Sequence, residues 1–108
     1  MTQVKNSPQS EGSKLRRLAM NPATELMFTQ SSGNQADELG LSRPDCLRVL
    51  QSCRVIKSEM SGPDWRRWAQ GQDLDGNTIT LAVTVVSMDE DRKRIVILNC
   101  KRDEEVQQ

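Results

Sequence analysis

Thr78-Ile79-Thr80-Leu81-Ala82-Val83-Thr84-Val85-Val86 and Ile95-Val96-Ile97-Leu98-Asn99-Cys100 decide the fold. Successive side chains of an extended chain point to opposite faces, so the first run sets Ile79, Leu81, Val83 and Val85 against Thr78, Thr80, Ala82, Thr84 and Val86. The second run is apolar on both faces, which predicts a strand inside a sheet rather than at its edge. The charged stretch Ser87-Met88-Asp89-Glu90-Asp91-Arg92-Lys93 between them reads as the solvent-facing tip of a hairpin with arms at Asn77 to Met88 and Arg94 to Lys101.

Working outward, Arg54 to Met60 and Trp65 to Gly71 are two more strand-like runs, separated by the turn Ser61-Gly62-Pro63-Asp64. Asp73-Leu74-Asp75-Gly76-Asn77 turns the chain into the long arm. As a strand, the tryptophan-bearing segment places Trp65, Arg67 and Ala69 on one face and Arg66, Trp68 and Gln70 on the other.

The upstream half reads as helix. Ser42-Arg43-Pro44-Asp45 is its clearest signal: a Ser cap, a Pro in the first turn where a missing N–H costs nothing, and an acid three positions after the cap. The helix it starts carries Cys46, Leu47, Val49, Leu50 and Cys53 on one broad face. Before it, Gln35 to Leu39 predicts one or two helical turns closed by Gly40, with Ser31-Ser32-Gly33-Asn34 as a turn leading in. Thr24 to Gln30 fits either a helical turn or a short strand, and Phe28 within it is a core anchor. Lys14 to Met20 predicts a short helix capped by Ser13 and ended by Asn21-Pro22. The expected fold is therefore α+β: short N-terminal helices on one side of an antiparallel sheet of about four strands. The expected organisation is a disordered arm over 1–13, one domain over 14–102, and an acidic flexible tail over 103–108.

Composition narrows the function classes. With 108 residues and 35% hydrophobic content, the chain allows one domain with a modest core, a size at which self-association or partner binding is common. No apolar run approaches the roughly 20 residues that cross a bilayer. The opening residues also lack the apolar core of a secretion signal, which predicts a cytoplasmic protein without membrane partners. Histidine and tyrosine are absent, so there is no Ser-His-Asp triad and no Cys-His pair. Cys46, Cys53 and Cys100 lack zinc-ligand spacing and read as small core hydrophobes. Asp73 and Asp75 depart from the calcium-loop pattern, and the glycines form no phosphate-cradling loop. No cofactor and no metal are expected.

Formal net charge is zero, but eleven basic and eight acidic residues fall between Arg43 and Arg102, with Arg66-Arg67, Arg92-Lys93-Arg94 and Lys101-Arg102 clustered. Pairing of the first two strands brings Lys57 within reach of Arg66 and Arg67, with Arg54 nearby. Converging cations suit a phosphate-bearing partner such as RNA, and Trp65 and Trp68 offer surfaces on which bases stack. The opposing account places one tryptophan in the core and lays the arginine stems over apolar surface.

At these residues the chain resembles the messenger-RNA-cleaving toxins of the MqsR type and the related DUF4258 domains of the wider RelE-like class. The likeness is carried by Gln35-Ala36-Asp37-Glu38-Leu39-Gly40-Leu41 and the helix after it, by Ile56-Lys57-Ser58, by Trp65, and by the strands through Gly76, Leu81 to Val86 and Ile95 to Leu98. It covers about residues 27 to 101. The resemblance implies a curved antiparallel sheet, an antitoxin or other protein partner, and metal-independent endoribonuclease chemistry. Lys57 matches the functional lysine, and Arg66 falls where that type has a glutamine. Ile79 and Thr80 stand where a catalytic tyrosine is expected, and Ser31, Gln35 and Leu39 where a His and two Arg are usual, so any catalytic site is an altered one. The expected catalytic residues are Lys57 and Arg66, and the expected RNA-binding residues are Arg54, Arg67, Trp65 and Trp68. The alternative is a non-catalytic protein-interaction domain, with a homodimer as one form of it.

Overall fold

The two long runs pair antiparallel as β4 (Thr78–Ser87) and β5 (Lys93–Arg102), in register from Ile79↔Arg102 to Ser87↔Lys93 with one bulge between Ala82 and Val83. Antiparallel β2 (Arg54–Ser61) and β3 (Asp64–Gln72) extend the sheet from β4. These features come from a computed structural model describing residues 8–61 and 64–103, so the expected turn at Gly62-Pro63 and the acidic tail beyond Asp103 lie outside the described residues.

The sheet has five strands rather than four and is mixed rather than antiparallel, because β1 (Glu25–Phe28) joins β5 in parallel to give the order β1-β5-β4-β3-β2. A strand apolar on both faces needs a neighbour on each side, and β1 supplies the second neighbour for β5. Within Thr24 to Gln30, Glu25–Phe28 is thus strand, while Thr29 caps and Gln30 begins the next helix. The sheet is open, neither closed nor strongly curled, in place of the curved one expected.

Helices α1 (Pro8–Met20), α2 (Gln30–Leu39) and α3 (Arg43–Gln51) all cover one face. Beneath them lie Ile79, Leu81, Val83, Ile95, Ile97 and Ala69 from the sheet and Leu15, Cys46, Val49 and Leu50 from the helices. Two helices start earlier than the sequence suggests. α1 begins at Pro8 rather than Lys14, so residues 8–13 are helical rather than a loose arm, while residues 1–7 lie outside the described residues. The reason is a buried stripe that continues from Ala19 and Leu15 back to Glu11. α2 begins at Gln30 because Thr29 caps it, accepting from the Ser32 amide at 3.1 Å, so Ser31 to Asn34 are helix rather than turn. Ser32 then donates from its hydroxyl to the Ile97 carbonyl at 2.6 Å, tying α2 to β5. Gly40 closes the helix at φ 70°, as expected. No helix among the described residues is long and apolar enough to cross a membrane.

The Ser42 capping box is present in full. The Ser42 hydroxyl accepts from the Asp45 amide, and Asp45 accepts from the Ser42 amide at 2.9 Å and from the Leu74 amide at 3.3 Å. Ser42→Ala is expected to lower the unfolding free energy by about 1 kcal/mol in urea denaturation. The hydrogen bonds from Ser42 hold the Asp45 carboxyl below its ordinary value of 3.8. A folded-state pKa below the unfolded one adds stability that is full above about pH 4 and is lost as pH falls through the lowered value. Denaturation midpoints measured down the acid limb should therefore fall less steeply in Asp45→Asn than in the wild type; parallel acid limbs would refute the linkage.

Candidate nucleic-acid interface

The β2–β3 hairpin sets Lys57 opposite Trp68, Glu59 opposite Arg66 and Arg54 opposite Gln70, after a bulge between Val55 and Lys57. Paired residues share a face, and Ala69, buried opposite Val55 and Leu81, marks the face that the helices cover. Alternation then puts Arg66, Trp68 and Gln70 on the uncovered face together with Lys57, Glu59 and Arg54. The Lys57 ammonium lies 4.7 Å from the centroid of the Trp68 ring, a cation–π contact that lays the lysine across the indole. Among the described residues, Lys57, Arg66 and Arg54 make no ion pair, although Glu59 stands directly across from Arg66.

Arg67 and Trp65 do not join this group. They lie on the helix side, where Arg67 pairs with Glu11 of α1 and stacks 5.2 Å from the Trp65 ring centroid. The expected nucleic-acid set thus divides: Lys57, Arg66, Arg54 and Trp68 share one surface, while Arg67 and Trp65 belong to the contact that holds α1 down. Sequence alternation had already separated Arg66 from Arg67. The small residue Ala69 was the available sign of which side faced inward.

The uncovered face continues across the sheet through residues that the sequence reading did not single out. Thr80, Ala82 and Thr84 on β4 and Val96, Asn99 and Lys101 on β5 lie beside the β3 residues, with Lys101 opposite Thr80. Lys101 is exposed, whereas Arg94 is engaged by Glu25 at 3.0 Å. At the far end, Asp103 accepts from Gln70 at 2.7 Å and from the Thr80 hydroxyl at 2.9 Å, so those two groups are occupied by a carboxylate. The face therefore carries both signs along its length: Lys57, Arg66, Trp68 and Glu59 lie toward the β2–β3 tip, and Arg54 and Lys101 lie near the hydrogen-bonded Asp103 carboxylate at the opposite end.

This arrangement can hold phosphate oxygens and present an aromatic plane. Glu59 is the carboxylate nearest the Lys57–Arg66 pair by register, and no imidazole or phenol exists anywhere in the chain. The cysteines stand apart from the face. A hydrogen bond to Cys100, with burial, pushes the Cys46 thiol up, and burial raises Cys53 to about 11, so both stay protonated at neutral pH. Among the described residues, no group of three or more His, Cys, Asp or Glu side chains is placed to hold a metal ion. No protein-family model matches this sequence, and no curated protein matches it significantly.

Proposed function

We propose that this chain is an RNA-directed domain of the toxin-like class it resembles in sequence, and that it engages single-stranded RNA on the uncovered sheet face. Lys57, Arg66 and Arg54 hold backbone phosphates, and Trp68 stacks a base. The observation that carries this reading is that Lys57, Arg66 and Arg54, which make no ion pair among the described residues, surround an indole on the sheet face that none of the described helices covers. Core stability gives no reason for gathering Lys57, Arg66 and Arg54 beside one carboxylate, Glu59, on that hairpin face. Phosphate contacts give one, since they position a polyanion without reading its sequence. The family resemblance assigns Lys57 to the scissile phosphate.

The face supplies charge stabilisation more readily than proton transfer. Arginine is almost never deprotonated, and among the described residues Glu59 is the carboxylate beside Lys57 and Arg66 that could take a proton from a ribose 2′-hydroxyl. Binding is thus the primary activity proposed, and cleavage a secondary one that would run through Glu59, Lys57 and Arg66.

Fluorescence anisotropy with a short mixed-sequence single-stranded RNA tests the reading. Trp68→Ala should weaken binding by roughly 5- to 150-fold, the worth of one stacked base. Lys57→Ala and Arg66→Ala should each flatten the slope of log K against log salt by about 0.7, as expected for one lost phosphate contact on a single strand. Arg48→Ala, on the exposed side of α3, should leave both quantities unchanged. Equal affinities across all four variants and the wild type would remove nucleic acid from the account. Incubating the same proteins with messenger RNA and a magnesium chelator reads out cleavage, whose fragments should vanish in Lys57→Ala and Glu59→Gln.

A further inference from the structure

The two edges of the sheet are finished differently. Along β1, the Arg43 guanidinium from α3 donates to the Leu26 carbonyl and stacks 5.6 Å from the Phe28 ring centroid, so a side chain already occupies that edge. Along β2, the contacts of α1 among the described residues lie at the beginning: Arg16 donates to the Cys53 carbonyl at 2.6 Å, and Gly12 packs against the backbone of Arg54 and Val55. From Ile56 to Met60 every residue is exposed, and β3 pairs with this strand on one side only. An unguarded outer strand presents a row of backbone donors and acceptors that another strand can complete. Ile56 and Met60, at the two ends of this segment, are 49% and 64% exposed, high for apolar side chains.

We propose that β2 pairs with β2 of a second copy of this chain, antiparallel about a two-fold axis at Ser58. The argument is charge complementarity. In a two-fold pair each contact occurs twice, residue i with j and j with i. Centring on Ser58 sets Lys57 of each copy opposite Glu59 of the other, and both side chains lie on the uncovered face. Two opposite-charge cross-strand pairs form at two ions that make no ion pair among the described residues of one chain. A partner strand of unrelated sequence would have no reason to match this charge order, whereas a second copy matches it by symmetry. Because opposite residues share a face, the two uncovered faces come out on the same side of one continuous ten-stranded sheet, and Arg54 and Arg66 of both copies line a single surface. A contact of one short strand buries less than the ~1,200 Å² of a standard stable interface, so the dimer is a weak one, dissociating in the micromolar range or above.

Sedimentation equilibrium of the full chain without nucleic acid, from micromolar to millimolar concentration, tests this. The wild type should dimerise reversibly. Lys57→Glu alone and Glu59→Lys alone each set two like charges opposite one another twice, and each should raise the dissociation constant by about tenfold or more. The double substitution Lys57→Glu with Glu59→Lys restores the pairing with its polarity reversed and should bring the constant back to within a few-fold of the wild type. Circular dichroism and the thermal midpoint confirm that each variant is folded; if one single variant does not fold, the other single and the double still decide the matter. A wild type that stays monomeric throughout, single variants that associate like the wild type, or a double no better than the singles would each overturn the proposal. Because no RNA is present, these outcomes are independent of the binding measurements above.

Discussion

Arg67→Met is expected to lower the unfolding free energy by about 3–5 kcal/mol, a large part of the 5–15 kcal/mol typical of a domain. Glu11 is 1% exposed and pairs with Arg67 across 56 residues of chain, so removing the guanidinium leaves a buried carboxylate with no counter-charge. Among the described residues its second oxygen has no hydrogen-bond partner, which leaves Arg67 as the main compensation for its burial. The loss should be concentrated at α1, whose first turns Glu11 fastens to β3. In hydrogen exchange, amides of α1 should open before those of β4 and β5. Glu11→Leu combined with Arg67→Met should recover most of the loss, because a well-packed apolar pair often equals a buried ion pair in stability. A loss below about 1 kcal/mol for Arg67→Met in urea denaturation would mean that the pair is solvated and that α1 is held by Leu15 and Ala19 instead.

That pair also shows where the sequence stops being informative. β4 and β5 could be read residue by residue because one buried face imposes a strict alternation, and the Ser42 cap could be read because its chemistry is local. The start of α1 could not: a glutamate eleven residues in looks like surface until an arginine far along the chain neutralises it. β1 was equally hidden. Four residues carry too little periodicity to distinguish strand from helix, and their conformation is imposed by the second ladder edge of β5. For the candidate site, alternation separated Arg66 from Arg67 correctly, yet grouping all neighbouring cations together obscured it. The inward face is fixed by α3 packing on β3 at Gly71 and by the Glu11–Arg67 pair from α1.

The division of the two arginines carries over to function. Arg66 and Lys57 remain available to a ligand because the fold does not use them, whereas Arg67 is consumed in holding the fold. An RNA-binding defect in Arg67→Ala would therefore carry no information about the site unless stability were measured alongside it. Variants of Lys57, Arg66 and Trp68 change an uncovered surface and can be read directly.

Gly71→Ala should be the most damaging of the small substitutions, costing about 3 kcal/mol or more. At Gly71 the C-terminal end of α3 comes down onto β3: a Cβ there would collide with the Val49 carbonyl and lie 2.9 Å from the Ser52 hydroxyl, which also accepts from the Gln72 amide at 3.2 Å. A flexible side chain could swing aside, but a backbone carbonyl at a helix end moves only with the helix. α3 would have to lift from the sheet, opening the contacts of Cys46, Val49 and Leu50 with Ile79 and Leu81, which are all fully buried. Gly33→Ala is the matched contrast. In the middle of α2, a Cβ at Gly33 meets only Phe28 Cβ at an ordinary 3.9 Å. It should therefore stabilise the protein by about 0.5–1 kcal/mol, the usual gain of alanine over glycine within a helix. Thermal midpoints of the two variants should move in opposite directions from the wild type. If both fall together, the sensitivity belongs to glycine in general, and the close approach of α3 to β3 is not what sets the geometry of the sheet.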